Sequence, residues 1–183
     1  MEDVTTLPWS RALTRADLDR MPDDGHRYEL VDGALVVTPA PSPRHQTVVV
    51  QLTRLLLDQC PAGLTVLVAP LDVVLSDDTV LQPDVLVARR ADFTARDLPV
   101  APLLAVEVMS PSTRRIDLWL KRSRYEAAGC PSYWVVDPDK PSLIAWQLQE
   151  GAYVEVAHVT GTQEYDAAQP YPVTVSPAAL AEG

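Results

Sequence analysis

The sequence predicts an α/β fold, a mixed β-sheet flanked by helices, and three features predict it. Short apolar runs rich in β-branched residues recur along the chain, and stretches with helical periodicity separate them. From Leu103 to Asp137 a strand, a helix and a second strand follow one another with the length of a parallel crossover. The other runs are joined by short turns that suit antiparallel pairing, so the sheet is mixed.

Taken in order, TRADLDRMP reads as a short helix with Thr14 as its cap. Asp17 stands three residues on in capping-box position, and Pro22 is the stop. HRYELVDGALVVTPAP reads as an N-terminal hairpin, because Asp32-Gly33 supplies the positive φ angles of a tight turn; Glu29 lies on its first strand. Between Pro43 and Cys60, apolar residues at Val48, Val49, Leu52, Leu55 and Leu56 predict a helix despite the β-branched run it contains. LTVLVAP, LDVVLS and LQPDVLVARR read as three strands, followed by a polar loop and the strand LLAVEVMS. The turn SPST offers a serine or threonine cap for the helix RRIDLWLKRSRYEAAG, which Gly129 ends. SYWVVDP is a strand whose Tyr133 and Trp134 read as core aromatics. LIAWQLQEGAYVEVAHV is a C-terminal hairpin about Glu150-Gly151, and the residues after it read as loop. With no internal repeat, low-complexity tract or linker, the expectation is one domain over residues 1–183 with its core at about 25–160.

The chain is 47% hydrophobic and 22% charged, the balance of a soluble globular protein. No run approaches the ~20 apolar residues of a membrane span. The N-terminal residues do not read as a signal peptide. Cys60 and Cys130 are isolated and form no disulfide or CxxC pattern, which fits reduced thiols and a cytoplasmic location. A net charge of -10 counts against a broad nucleic-acid surface. Positive charge is local, in Arg114, Arg115, Lys121, Arg122 and Arg124, a cluster that a solvated helix face also explains.

Two carboxylates stand out. Asp84 follows a proline in LQPDVLVA, and Glu107 sits inside LLAVEVMS. Strand alternation puts Gln82, Asp84 and Leu86 on one face and Ala105, Glu107 and Met109 on another. Ionised carboxylates in sheltered strands are costly unless a cation or a proton compensates. With no histidine or cysteine set nearby, a hard cation such as Mg²⁺ is the better match. Lys121, one of two lysines against thirteen arginines, opens the second turn of its helix. An i, i+4 surface pair with Asp117, worth a few tenths of a kcal/mol, is the plainer account of it.

The ordered set YELVDG, PSPRH, PD, a glutamate after 22 intervening residues in VEVMSPS, a lysine in LKRSRY and then YWVVDP resembles the PD-(D/E)XK nuclease superfamily. Within it the chain resembles the Uma-type restriction endonuclease family, a bacterial domain of unknown function, over most of its length. The resemblance implies a restriction-endonuclease-like core and Mg²⁺- or Mn²⁺-dependent hydrolysis of phosphodiester bonds in nucleic acid, above all DNA. Asp84, Glu107 and the Val108 backbone carbonyl would hold the metal, and Glu29 would complete its shell. The superfamily places lysine two residues after the glutamate, where this chain has Met109; Lys121 fits the branches that supply it from the adjacent helix. The catalytic set is then Asp84, Glu107, Lys121 and Glu29, with a homodimer as one arrangement for cutting two strands.

Other residues have plainer explanations beside functional ones. His45 at a helix entry is structural or contacts a phosphate, Ser110 caps, and Tyr125 packs or positions Lys121; Gln82 shares the face of Asp84. Two other functions stay open: an inactive binding protein on the nuclease fold, and a hydrolase of smaller phosphodiesters. The acidic charge and the vacated lysine position favour the first of these, and low basicity suits the second.

Overall fold

A computed structural model describes residues 11–110 and 116–182, with the side chains of residues 116 and 117 left out. The elements run α1 (Arg15–Leu18), β1 (Arg27–Val31), β2 (Ala34–Thr38), α2 (Pro43–Asp58), β3 (Leu64–Val68), β4 (Val73–Ser76), β5 (Thr79–Leu81) and β6 (Val85–Arg89). After β7 (Leu104–Val108) a π-helical stretch, Ile116–Lys121, leads into α3 (Arg122–Ala127). The remainder is β8 (Ser132–Asp137), β9 (Ser142–Gln149), β10 (Ala152–Thr160), β11 (Tyr165–Ala167), β12 (Val173–Val175) and α4 (Pro177–Glu182).

The central sheet has six strands in the order β10-β9-β8-β7-β6-β3. Its β7–β8 pair is parallel and its other pairs are antiparallel, the mixed sheet expected of one crossover among hairpins. Both faces are covered, which is why β6, β7 and β8 read as near-continuous apolar runs. On one face, α2, α4 and the β11–β12 pair pack over Val87, Val106, Trp134 and Leu143. On the other, Leu86, Ala105, Met109, Tyr133 and Val135 meet Val31, Val73 and Leu81 from a second sheet, together with Tyr125 of α3. That second sheet has four strands in the order β2-β1-β5-β4.

Local chemistry accounts for the elements. Asp32 and Gly33 take φ of 53° and 74°, and Glu150 and Gly151 take 52° and 84°, so both hairpins turn where Asp-Gly and Glu-Gly stand. A side chain at Gly33 would also collide with Ala12, its Cβ lying 2.5 Å from that of Ala12. The Thr14 amide donates to Asp17 Oδ2 at 2.9 Å, the reciprocal half of the expected capping box. Ser42 caps α2 by accepting the His45 amide at 3.2 Å, with Pro43 in the first turn. Gly129, at φ 78°, follows the end of α3. Of the turn SPST, Ser112 and Thr113 lie outside the described residues, as does the start of the helix that the turn was expected to cap.

Two expectations need correction. LQPDVLVARR is not one strand: β5 ends at Leu81 in the four-stranded sheet and β6 begins at Val85 in the six-stranded sheet. Pro83 has no amide to continue a ladder, so the chain changes sheets across Gln82, Pro83 and Asp84. The alternation argument for Gln82 and Asp84 therefore fails, whereas Glu107 does share its face with Ala105 and Met109. The C-terminal residues are not loop either. Tyr165, Tyr171, Val173, Val175 and Leu180 are buried in the core beneath α2, so packing extends through α4. Among the described residues no helix is long and apolar enough to cross a membrane.

Candidate active site

Five separate segments converge at the junction between the two sheets. β1 brings Arg27 and Glu29, the link between β5 and β6 brings Asp84, and β7 brings Glu107. The last π-helical residue is Lys121, and the first turn of α2 carries His45. Relative exposures are 0% for Glu29, 4% for Asp84, 1% for Glu107 and 1% for Lys121. The surface-pair explanation of Lys121 is thereby overturned.

Lys121 Nζ donates to both Glu107 oxygens at 3.2 Å and to Glu29 Oε2 at 3.0 Å, with Glu29 Oε1 at 2.9 Å. Glu29 Oε1 also accepts the Gln82 amide at 2.7 Å. The sheet-changing link is thus tied to the lysine through Glu29. Asp84 is held differently: Oδ1 accepts Arg27 Nη1 at 3.0 Å, and Oδ2 accepts the Val108 amide at 2.8 Å. His45 Nε2 stands 3.2 Å from the same Oδ2. Among the described residues, three carboxylates thus face the Lys121 ammonium, the Arg27 guanidinium and the His45 ring.

The electrostatics follow. Burial opposes the charge on Asp84, but His45, Arg27 and the Val108 amide together outweigh it and hold the carboxyl below its ordinary value. Burial likewise opposes the charge on Arg27, and Glu29, Asp84 and Glu107 reverse that and keep the guanidinium protonated. A lowered folded-state value means that ionised Asp84 contributes stability above the unfolded-state pKa of about 3.9. That contribution is lost as pH falls through the lower folded-state value. We predict a shallower acid-unfolding limb for Asp84→Asn than for the wild type, read by circular dichroism; parallel limbs would contradict it.

Asp84 and Glu107 open onto a cleft of about 1020 Å³ that Arg27, His45, Gln82, Val108, Met109 and Ser110 also line. Glu29, Lys121 and Tyr125 do not line it; they lie behind Glu107. Gln82 Nε2 donates to Asp72 Oδ1 at 2.7 Å, so its side chain braces the cleft wall. Tyr125 is fully buried with its ring 5.3 Å from that of Tyr133, and burial followed by the Glu107 and Glu29 charges keeps its phenol protonated. Tyr133 and Trp134 are core aromatics, as expected.

The described members of the basic cluster do not form a patch. Lys121 is buried, Arg124 pairs with Asp32 at 2.7 Å, and the Arg122 guanidinium lies 5.4 Å and 5.1 Å from the rings of Trp119 and Trp146. Arg114 and Arg115 lie outside the described residues. Arg27, in contrast, was not among the expected site residues. Its signal was present: it stands two residues before Glu29 on one strand, hence on the same face.

Among the described residues no three His, Cys, Asp or Glu side chains are gathered as a ready-made metal set. Asp84 and Glu107 bring carboxylates to the cleft lining beside Val108, and Asp72 and His45 are among the other residues that line it. That chemistry fits a hard divalent cation that keeps several waters.

None of the curated proteins compared matches the chain. A crystal structure of a protein from Anabaena variabilis, described as a putative nuclease belonging to DUF820, superposes with a TM-score of 0.72 at 16% identity. The match covers 93% of this chain and 98% of that one, and at such identity it speaks for the fold. Residues 15–180 match the family model described as "Uma2: Putative restriction endonuclease", and the chain belongs to that family.

Proposed function

We propose that this chain is a Mg²⁺- or Mn²⁺-dependent endonuclease that hydrolyses phosphodiester bonds in DNA. The observation that carries the reading is the buried Lys121 ammonium bonded to both oxygens of Glu107, beside a cleft that Asp84 also lines. A helix-borne lysine thus serves the glutamate whose usual strand partner is replaced by Met109. Family membership supports the reaction class, and fold alone would not.

Asp84, Glu107 and the Val108 carbonyl would hold the ion. When bound, the ion polarises the scissile phosphate and lowers the pKa of a coordinated water. Lys121 fixes the Glu107 carboxylate from behind and offsets its charge; lying off the cleft, it acts on the reaction through Glu107 and does not touch the attacking water. Glu29, expected in the metal shell, is better assigned to Lys121, since it lies off the cleft and its oxygens face that ammonium and the Gln82 amide. His45 and the Val108 amide orient Asp84.

The test is plasmid cleavage with Mg²⁺ or Mn²⁺. Asp84→Asn and Glu107→Gln, purified with wild-type circular dichroism, should each lose about 100-fold or more, the scale of a lost electrostatic contact in an active site. Wild-type cleavage by either folded variant would refute the assignment. Parallel assays on oligonucleotides and small phosphodiesters fix the substrate class.

A further inference from the structure

Arg27 lines the cleft beside the carboxylate cluster, and its donors are incompletely used. One donor, Nη1, reaches Asp84 Oδ1 at 3.0 Å. Nη2 stands 3.7 Å from Glu29 Oε2, beyond hydrogen-bond length, and Nε is buried with no partner among the described residues. A guanidinium carries five donors in a planar fork suited to two oxygens at once. Among the described residues this one makes a single side-chain hydrogen bond, to Asp84, which also lines the cleft.

Its surroundings make it the natural anion receptor. Two arginines line the cleft among the described residues, and Arg96 is committed to Asp19. The described members of the local basic cluster are engaged elsewhere: Lys121 with Glu29 and Glu107, Arg124 with Asp32, and Arg122 over two tryptophans. With a net charge of -10, the chain cannot rely on a broad positive field to hold a polyanion. The Arg27 side chain is 21% exposed, enough to be reached from the cleft while remaining partly desolvated.

We infer that Arg27 is the phosphate-binding residue of this site and that it and a divalent cation compete for Asp84. When the ion takes Asp84 Oδ1, the fork is released toward a substrate phosphate, which it would grip through its Nη donors, Nη1 freed from Asp84 and Nη2 beyond hydrogen-bond length of Glu29. Cation and phosphate thereby become linked ligands: each favours the arrangement the other needs. The inference rests on the metal-dependent reading above and extends it from the ion to the substrate.

The experiment measures Mn²⁺ binding by calorimetry and DNA binding in Ca²⁺, without turnover, for wild type, Arg27→Met, Arg27→Lys and Asp84→Asn. Arg27→Met should bind Mn²⁺ about tenfold more tightly, within the usual range of such couplings, while binding DNA more weakly. Arg27→Lys should shift both in the same directions by less, and it carries the test if the methionine variant does not fold. A purely structural arginine would weaken both ligands together. Unchanged or weaker Mn²⁺ binding in a folded Arg27 variant overturns the competition. Wild-type Mn²⁺ binding by Asp84→Asn instead overturns the metal reading itself.

Discussion

Lys121→Met is expected to cost about 3–5 kcal/mol of folding free energy, the range for removing one partner of a buried ionic group. The ammonium is 1% exposed and contacts both oxygens of Glu107 and of Glu29, themselves 1% and 0% exposed. Without it, two buried carboxylates lose the cation bonded to both, and Arg27, bonded to Asp84 at 3.0 Å, stands 3.7 Å from Glu29. Urea unfolding checks the value. Adding Glu29→Gln and Glu107→Gln to Lys121→Met should restore most of the loss, because the uncompensated charges are then gone. A Lys121→Met protein within about 0.5 kcal/mol of wild type, the scatter of ordinary surface changes, would mean that the lysine is not what neutralises the pair.

Met109→Lys in the Lys121→Met background is expected to recover part of both stability and cleavage. Met109 is 5% exposed, lines the cleft and shares the face of Glu107 two residues away. A lysine there approaches Glu107 from the strand rather than from the helix. About tenfold recovery of plasmid cleavage over Lys121→Met is the expected scale, a fraction of what one well-placed donor contributes in an active site. Stability should recover less completely, because Glu29 lies behind Glu107 and is served from the helix side. No gain in either quantity would show that the two lysine positions are not interchangeable in this chain. In otherwise wild-type protein the same substitution should destabilise, since it crowds a second ammonium onto a carboxylate already bonded through both oxygens.

The legible parts of the fold were those with local causes. Asp32-Gly33 and Glu150-Gly151 declare their turns by residue type, and the apolar stripe of α2 declares its buried face. β11 and β12 were missed because three residues cannot display a period, and their burial comes from α2, more than a hundred residues away in sequence. In the site, Asp84 and Glu107 were visible as charges in apolar company. Their surroundings were not: the strand reading of Asp84 failed at Pro83, where the chain leaves one sheet for the other. His45 meets Asp84 across 39 positions, a contact that no local pattern encodes. Arg27 was overlooked although its spacing from Glu29 shows both on one strand face. A lone arginine reads as surface until the carboxylates it serves are known.

A π turn accommodates one residue more than an α turn, and the stretch Ile116–Lys121 is wound that way immediately before α3. Each residue of regular helix advances the direction of a side chain by roughly 100°. Deleting one residue ahead of Lys121 would relax the stretch to ordinary pitch and turn Lys121 by about that angle relative to the start of the stretch, pulling against the Arg124–Asp32 and Tyr125 anchors of α3. The aim of the ammonium is therefore a matter of chain count as well as residue identity. A comparison of sequences that scores letters alone would miss a single-codon gap here, yet such a gap could silence the site with every named group still present.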